Sequence, residues 1–197
     1  MKIPNLKDVY SQPVKGNYET DDYCFFWSGP FSNWHPSVFT HKGIVYNCSE
    51  QAMMYEKAIL FNDHDAAKAI LSTNDPKEQK RLGRGVKGYI EHEWVARREH
   101  IVREILVDKF DQNPELLNDL LDTDNKLIVE ASPYDSVWGI AMGVDKYPDI
   151  LDQTKWKGQN LLGRLLMDVR ERFALEREFE NRYQEAMAEI EAHENED

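Results

Sequence analysis

Glu50 and Lys57 stand seven residues apart in the run SEQAMMYEKAILF. Seven residues turn an α-helix through about 700°, so an acid and an amine at that spacing point the same way, roughly 10 Å apart along the axis. They are too far apart to pair directly, but they can face one ligand from two heights. Further along, Glu130 closes the apolar run LIVEA, and Asp135 follows in a turn ahead of Trp138-Gly139. An acid that ends a buried strand is costly unless it is paired or used. Together Glu50, Glu130 and Asp135 supply the components for work on a glycosidic bond. Carboxylates stabilise an oxocarbenium-like transition state, and a protonated one assists the leaving base. Lys57 adds another route: a desolvated amine can attack an anomeric carbon, or its ring-opened form, and give a Schiff base. The plain alternatives are a solvated acid and lysine for the helical pair and a helix-capping carboxylate for the loop acids.

Aromatic residues crowd CFFWSGPFSNWHPSVF, where Gly29-Pro30 and His35-Pro36 interrupt them. A buried strand avoids proline and a flexible linker avoids aromatics, so this stretch is neither. The five tryptophans lie at 27, 34, 94, 138 and 156. Some belong in the core. Those beside Gly, Pro, Ser or Asn in loops can stack on a heterocycle. Residues 83–88, GRGVKG, fit the GxGxxG pattern, but a dinucleotide site needs a strand before the glycines and a helix beginning inside them. The preceding DPKEQKRL is a charged helix pattern. A glycine-capped helix end is the bland reading, and a close backbone approach with Arg81, Arg84 and Lys87 gripping a phosphate is the functional one. No HxxxH or CxxC occurs, and His92 and His100 sit about 80° off one helical face, so no metal is expected.

These residues must be positioned by elements the pattern also predicts. CFFWS and GIVYNC read as short strands, and VFTHKGIVY as a hairpin turning at His41-Lys42-Gly43. From Ser49, the expected N-cap, the period becomes helical, with Ala52, Met53, Ala58 and Ile59 for the core. DHDAAKAIL follows. Asp75-Pro76-Lys77-Glu78 is a helix start, and a longer helix spans about Glu91 to Gln112 with Trp94, Ile101, Ile105 and Leu106 buried. Asn113-Pro114 starts ELLNDLL, LIVEA is a strand, SPYDSVWG a loop, and GQNLLGRLLMDVRERF opens a helix that runs on into the tail. The fold class is α+β: a predominantly helical single domain with a few short strands near the N-terminus.

At 197 residues and 41% hydrophobic composition the chain has enough apolar material for one real core. Residues 1–22 read as a polar surface segment and 23–174 as the domain. Residues 175–197 are an acidic amphipathic helix whose apolar positions Leu175, Phe179, Tyr183, Met187 and Ile190 step by four, four, four and three. The net charge is −12, and this tail, with nine acids and two bases, supplies −7 of it. An acidic chain without a basic stripe argues against non-specific duplex DNA binding, and the acidic polar face of the tail against a membrane. The tail is expected to pack on the body or on a second copy as a homodimer. No run approaches bilayer length and MKIPNLKDVY lacks a signal-peptide core, so the default location is cytoplasmic. There, Cys24 and Cys48 are expected to be buried thiols.

In order along the chain, FFWSGPFSNW, CSEQAMMYEKA, LGRGV, Trp94 followed by Arg97, IVEASPYDSVWGI and WKGQNLLGRLLMDVR resemble the NADAR or YbiA-like family over roughly residues 23–173. The resemblance implies a compact, mainly helical fold, no cofactor, and N-glycosidase activity. Family members cleave the base–ribose bond of phosphoribosylamino-pyrimidine intermediates of riboflavin synthesis, while relatives bind ADP-ribose and release it from modified guanine. By position it implies catalytic roles for Glu50, Lys57, Glu130 and Asp135 and a phosphate or ribose contact by Arg84. It also implies an aromatic and polar wall of Phe26, Trp27, Ser32, Asn33 and Trp34, with Asn160 at the last helix start. Trp94 and Trp138, which stand in two of the motifs, complete the expected binding set. Glycine is expected after Trp138-Gly139-Ile140, and this chain has Ala141. The implied partner is a small ribosyl phosphate or ADP-ribose-type ligand, with modified nucleic acid as a second possibility. The rivals are a non-catalytic NAD or ADP-ribose-binding module and an interaction protein working through its tail.

Overall fold

Proline and glycine punctuation leaves the first third of the chain room only for short strands. The computed structural model describes residues 17–194; residues 1–16 of the expected surface segment and 195–197 of the tail lie outside them. In chain order the strands are β1 (Tyr18–Glu19), β2 (Tyr23–Phe26), β3 (Phe39–His41) and β4 (Ile44–Tyr46). The helices α1 (Ser49–Leu60), α2 (His64–Leu71), α3 (Pro76–Arg84), α4 (Glu91–Asp111) and α5 (Pro114–Leu121) follow. The chain then forms β5 (Leu127–Glu130), three single 3-10 turns between Val144 and Lys155, and α6 (Leu161–Glu194). Helix dominates, as the α+β reading expects.

β3 and β4 form the expected hairpin. Its turn is Lys42-Gly43, both at positive φ, and His41 is the last strand residue. CFFWS and LIVEA are strands as expected, but their pairing in the other sheet was not visible in the pattern. β2 is its centre, paired antiparallel with β1 and parallel with β5, so that Phe26 lies beside Glu130. Helices α1 to α5 form the crossover that a parallel pair requires. Tyr18 and Glu19 therefore give the N-terminal segment a strand. Both faces of the β2–β5 pair are covered. Cys24, Phe26 and Ile128 belong to the main core with α1, α4 and α6, while Phe25 and Val129 pack with Ala131, Ile140 and Ile150 under the 3-10 turns. This explains why both strands read as continuous apolar runs instead of alternating.

Local start signals behave unevenly. Asp75 caps α3 by accepting from Lys77 N (3.0 Å), but Glu78 turns to Arg81 instead of reaching back. Ser49 is the first helical residue of α1 and not its cap; Cys48 holds that position in extended backbone without a side-chain capping bond. The first half of α6 buries Leu161, Leu162, Leu165, Leu166 and Val169. Gly163 lets it lie directly on β5, since a Cβ there would meet Ile128 O at 2.2 Å. Cys24 and Cys48 are buried free thiols. No helix among the described residues is long and apolar enough to cross a membrane.

Candidate active site

The burial of one acid organises the site. Glu50, the second residue of α1, has 2% of its surface exposed, and its backbone N–H donates to Asn33 O (2.8 Å), which ties the helix start to the aromatic loop. Its Oε1 is buried with no hydrogen-bond partner. Two turns on, Lys57 projects into the same cleft of about 290 Å³, as the seven-residue spacing requires. Its amine donates to Gly83 O (2.9 Å) and lies over the Tyr89 ring, 4.2 Å from the centroid, with Trp94 beyond. Arg84, Trp94, Asp135 and Trp138 line the same cleft.

The loop after β5 carries the remaining acids. Glu130 is the last strand residue, and its Oε2 is buried and unpartnered. The chain folds back so tightly that Ile140 N donates to Glu130 O (3.1 Å), and a Cβ on Gly139 would stand 2.8 Å from that oxygen. Asp135 Oδ1 accepts from the backbone N–H groups of Val137 (2.9 Å) and Trp138 (2.8 Å), while Oδ2 faces Lys80 Nζ at 3.7 Å. Of the three acids only Asp135 reaches the Lys80 ammonium, whose charge also acts on Glu50 and Glu130.

The electrostatics follow from that crowding. Burial pushes the Glu50 carboxyl up to about 7; Asp135 adds to the shift, while Lys80, the Trp34 indole and Arg84 oppose it. Glu130 is pushed up to about 8, first by burial and then by Asp135 and Glu50, against Lys80. Two carboxylic acids that hold protons near neutrality can act as general acids. Lys57 is shifted below the usual lysine range, mainly by burial and also by Arg84, with Glu91 and Glu50 pulling the other way.

The other expected binding residues are placed differently. Phe26 is core, packed edge-on against Phe31. Asn33 is buried, Ser32 accepts from Trp34 N, and Trp34 lies at the cleft edge with Lys80 over its ring. Trp27 stands at the rim against Tyr134, with centroids 6.2 Å apart. Asn160 sits at φ +49 outside the cleft. Its amide accepts from Glu130 N (3.0 Å) and donates to Ile128 O (2.9 Å), so it holds the strand that carries Glu130. The glycines of residues 83–88 end a helix instead of opening one. Gly83 lies within α3 against Met54, Gly85 is its C-cap, and Gly88 turns at φ +71. Arg81 is taken by Glu78, and Lys87 borders a separate hollow of about 420 Å³ with Phe61 and Asp63. Of the residues expected at the site that hollow contains Lys87 alone, and Asp63 is already used there, accepting from Ala66 N and Lys87 N.

Sequence reasoning missed Lys80, Tyr89, Arg98 and Tyr134, all in the cleft lining. Two of these carried a signal. Lys80 and Arg84 are four apart on α3, and Trp94 and Arg98 four apart on α4, so each pair shares a face. The three-residue step to Arg81 and Arg97 chose the neighbouring cations. Tyr89 and Tyr134 lie in irregular segments with no period to read.

A family model, the NADAR domain, matches residues 25–174. The N-glycosidase R617 of Acanthamoeba polyphaga mimivirus is 39% identical over 166 residues, covering 78% of this chain and 97% of that protein. N-glycosidase YbiA of Escherichia coli is 29% identical over 178 residues, 90% and 99% of the two chains. The Vibrio vulnificus riboflavin biosynthesis protein VVA0006 is 30% identical over 83% of this chain but only 39% of its own length. The NMR structure of E. coli YbiA superimposes with a TM-score of 0.66, covering 84% of this chain and 92% of that one. The buried acid and half-buried amine two turns apart on one helix, and the acids from β5 and its loop, are therefore features of a chain that belongs to the NADAR family.

Proposed function

We propose that this chain is an N-glycosidase that hydrolyses the base–ribose bond of a phosphorylated ribosylamino-pyrimidine. The observation that carries the reading is one cleft lined by the buried Glu50 carboxyl, the Asp135–Lys80 pair and the Lys57 amine, with Glu130 outside that lining but within electrostatic reach of Glu50 and Asp135. Arg84 and Arg98 line the cleft and suit a phosphate, Trp94 and Trp138 suit a flat base, and about 290 Å³ is the small end of ligand pockets. The names of the mimiviral and bacterial relatives support the bond type, and that of the Vibrio protein supports the riboflavin-intermediate class.

In this mechanism the Glu50 carboxyl gives its proton to the departing nitrogen and the C1–N bond breaks. The Lys57 amine, in its neutral form, bonds to C1 of the resulting oxocarbenium ion and gives one proton to the Glu50 carboxylate. The C1–O4 bond then breaks, the second amine proton passes to the ring oxygen, and an imine of the opened sugar is left. Water then adds to C1 and expels Lys57, so one water is consumed and the free base and sugar phosphate leave. Asp135 stabilises positive charge on the sugar. Removing divalent metals with a chelator is expected to leave turnover unchanged, because side chains supply every proton and nucleophile in these steps. A loss restored by one metal overturns that part.

The exposed Trp27–Tyr134 pair at the rim favours a second, larger substrate, an ADP-ribosyl-guanine, whose additional base could stack there. Both substrates are tested together by following free base by chromatography. The expected result is release from the ribosylamino-pyrimidine phosphate, with Glu50→Gln and Lys57→Ala each reducing the rate by roughly 10²–10⁴-fold. Borohydride added during turnover is expected to attach the reduced sugar phosphate to Lys57. Release from the guanine adduct alone moves the assignment to the second substrate. Tight ADP-ribose binding with no release of either base makes the protein a sensor.

A further inference from the structure

Neither the core nor the cleft accounts for the second half of α6. Every described residue from Ala174 to Glu191 is exposed. Arg177 donates to Asn118 on α5 (2.9 Å); beyond it, Arg182 donates to Glu178 and Gln184 to Glu180 within the helix itself. Leu175, Phe179, Tyr183, Met187 and Ile190 are 36% to 72% exposed. At 100° per residue their spacing keeps them in an arc of about 120°. The stretch continues a helix whose first half is packed, and a continuous apolar stripe on it calls for a cover.

The charges beside the stripe specify the cover. Arg172, Arg177 and Arg182 lie in its first half, where Glu176, Glu178 and Glu180 balance them to neutrality, while from Tyr183 to Glu194 the sequence has Glu185, Glu189, Glu191 and Glu194 and no lysine or arginine. We propose that this segment pairs antiparallel with the same segment of a second copy, centred on Tyr183. Phe179 then lies level with Met187 of the second copy, and Leu175 within one residue of level with Ile190. The arginine-bearing half of each helix faces the acidic half of the other. A parallel pair would instead set the four acids of one copy beside those of its mate, and flanking charges of this kind decide orientation in paired helices. An anionic bilayer is a poor occupant for the same stripe, because the polar face turned to it is acidic.

Sedimentation of the full chain between about 1 and about 100 µM tests the pairing. A reversible dimer is expected, weakened at least about tenfold by Phe179→Asp or Met187→Asp, each a change of more than about 1.4 kcal/mol. Both positions are exposed, so circular dichroism of the variants is expected to match the parent. Orientation is read by cysteine linkage, since the native Cys24 and Cys48 are buried. A mixture of Leu175→Cys and Ile190→Cys chains is expected to form a disulfide-linked heterodimer under mild oxidation, while Leu175→Cys alone stays unlinked. A chain that remains monomeric throughout overturns the proposal. So do Leu175→Cys copies that link to each other, or capture of the monomer by anionic vesicles.

Discussion

Glu50, Glu130 and Lys57 all owe their shifted protonation to loss of water, and that makes the residue scale testable by pH. If protonated Glu50 is the acid, base release falls as pH rises through about 7, with Glu130 extending the decline towards about 8. Lys80 holds both carboxyls down, so Lys80→Met is expected to move the alkaline limb of the rate profile upward by on the order of one unit. An unmoved limb would separate Lys80 from the acid. Stability carries the same signature. The folded pKa values of Glu50 and Glu130 lie above the ordinary 4.5, so their contribution is fully present below about 4.5 and is lost as pH rises through 7 to 8. Lys109 acts oppositely. It is fully buried, donates to Pro30 O (2.7 Å) and Ser32 O (3.3 Å) at the base of the aromatic loop, and is pushed by burial down to about 7. The unfolded chain therefore binds the extra proton between pH 7 and 10.5, and this term rises with pH. Denaturant melts of Lys109→Met are expected to lose that alkaline rise. The helical spacing made Glu50 and Lys57 legible in the sequence. The burial that activates them was not, because it depends on a loop and a strand far along the chain.

At the element scale, the helices were readable from period and start signals, while the central sheet was not. β1 is two residues long, and the β2–β5 pairing joins segments with no local sign of each other. Asn160 shows the same limit: position suggested a ligand contact, whereas its amide is occupied by the β5 backbone. Two glycine-related positions test these elements. Ala141 occupies φ +51, where a Cβ is strained, and its N–H donates to Asp135 O (3.0 Å). Ala141→Gly is expected to stabilise the fold by about 0.5–1 kcal/mol without changing turnover, as read by thermal melting and the base-release assay. Gly83→Ala would set a Cβ 2.0 Å from Met54 Sδ and force that side chain, which lines the cleft, to move. A higher KM with nearly normal stability is expected, since a flexible methionine yields more cheaply than backbone.

On the scale of the whole molecule, charge and period marked the tail as separate from the domain, and the family match ends at residue 174, where the exposed stretch of α6 begins. A chain ended after Ala174 is expected to keep base release within about twofold, since it retains every residue of the cleft. The central parallel pair has a further consequence during synthesis. The ribosome delivers the CFF strand early, but its partner LIVE arrives only after five helices have emerged. Until then an apolar strand stands with an open edge, a template for wrong pairing that a slow, non-local contact must outcompete. A nascent chain stalled before Leu127 would hold Glu50 and Lys57 on a formed helix yet lack the acids that face them. Catalytic competence therefore arrives late and all at once, and an interrupted copy is an aggregation hazard before it is ever an enzyme.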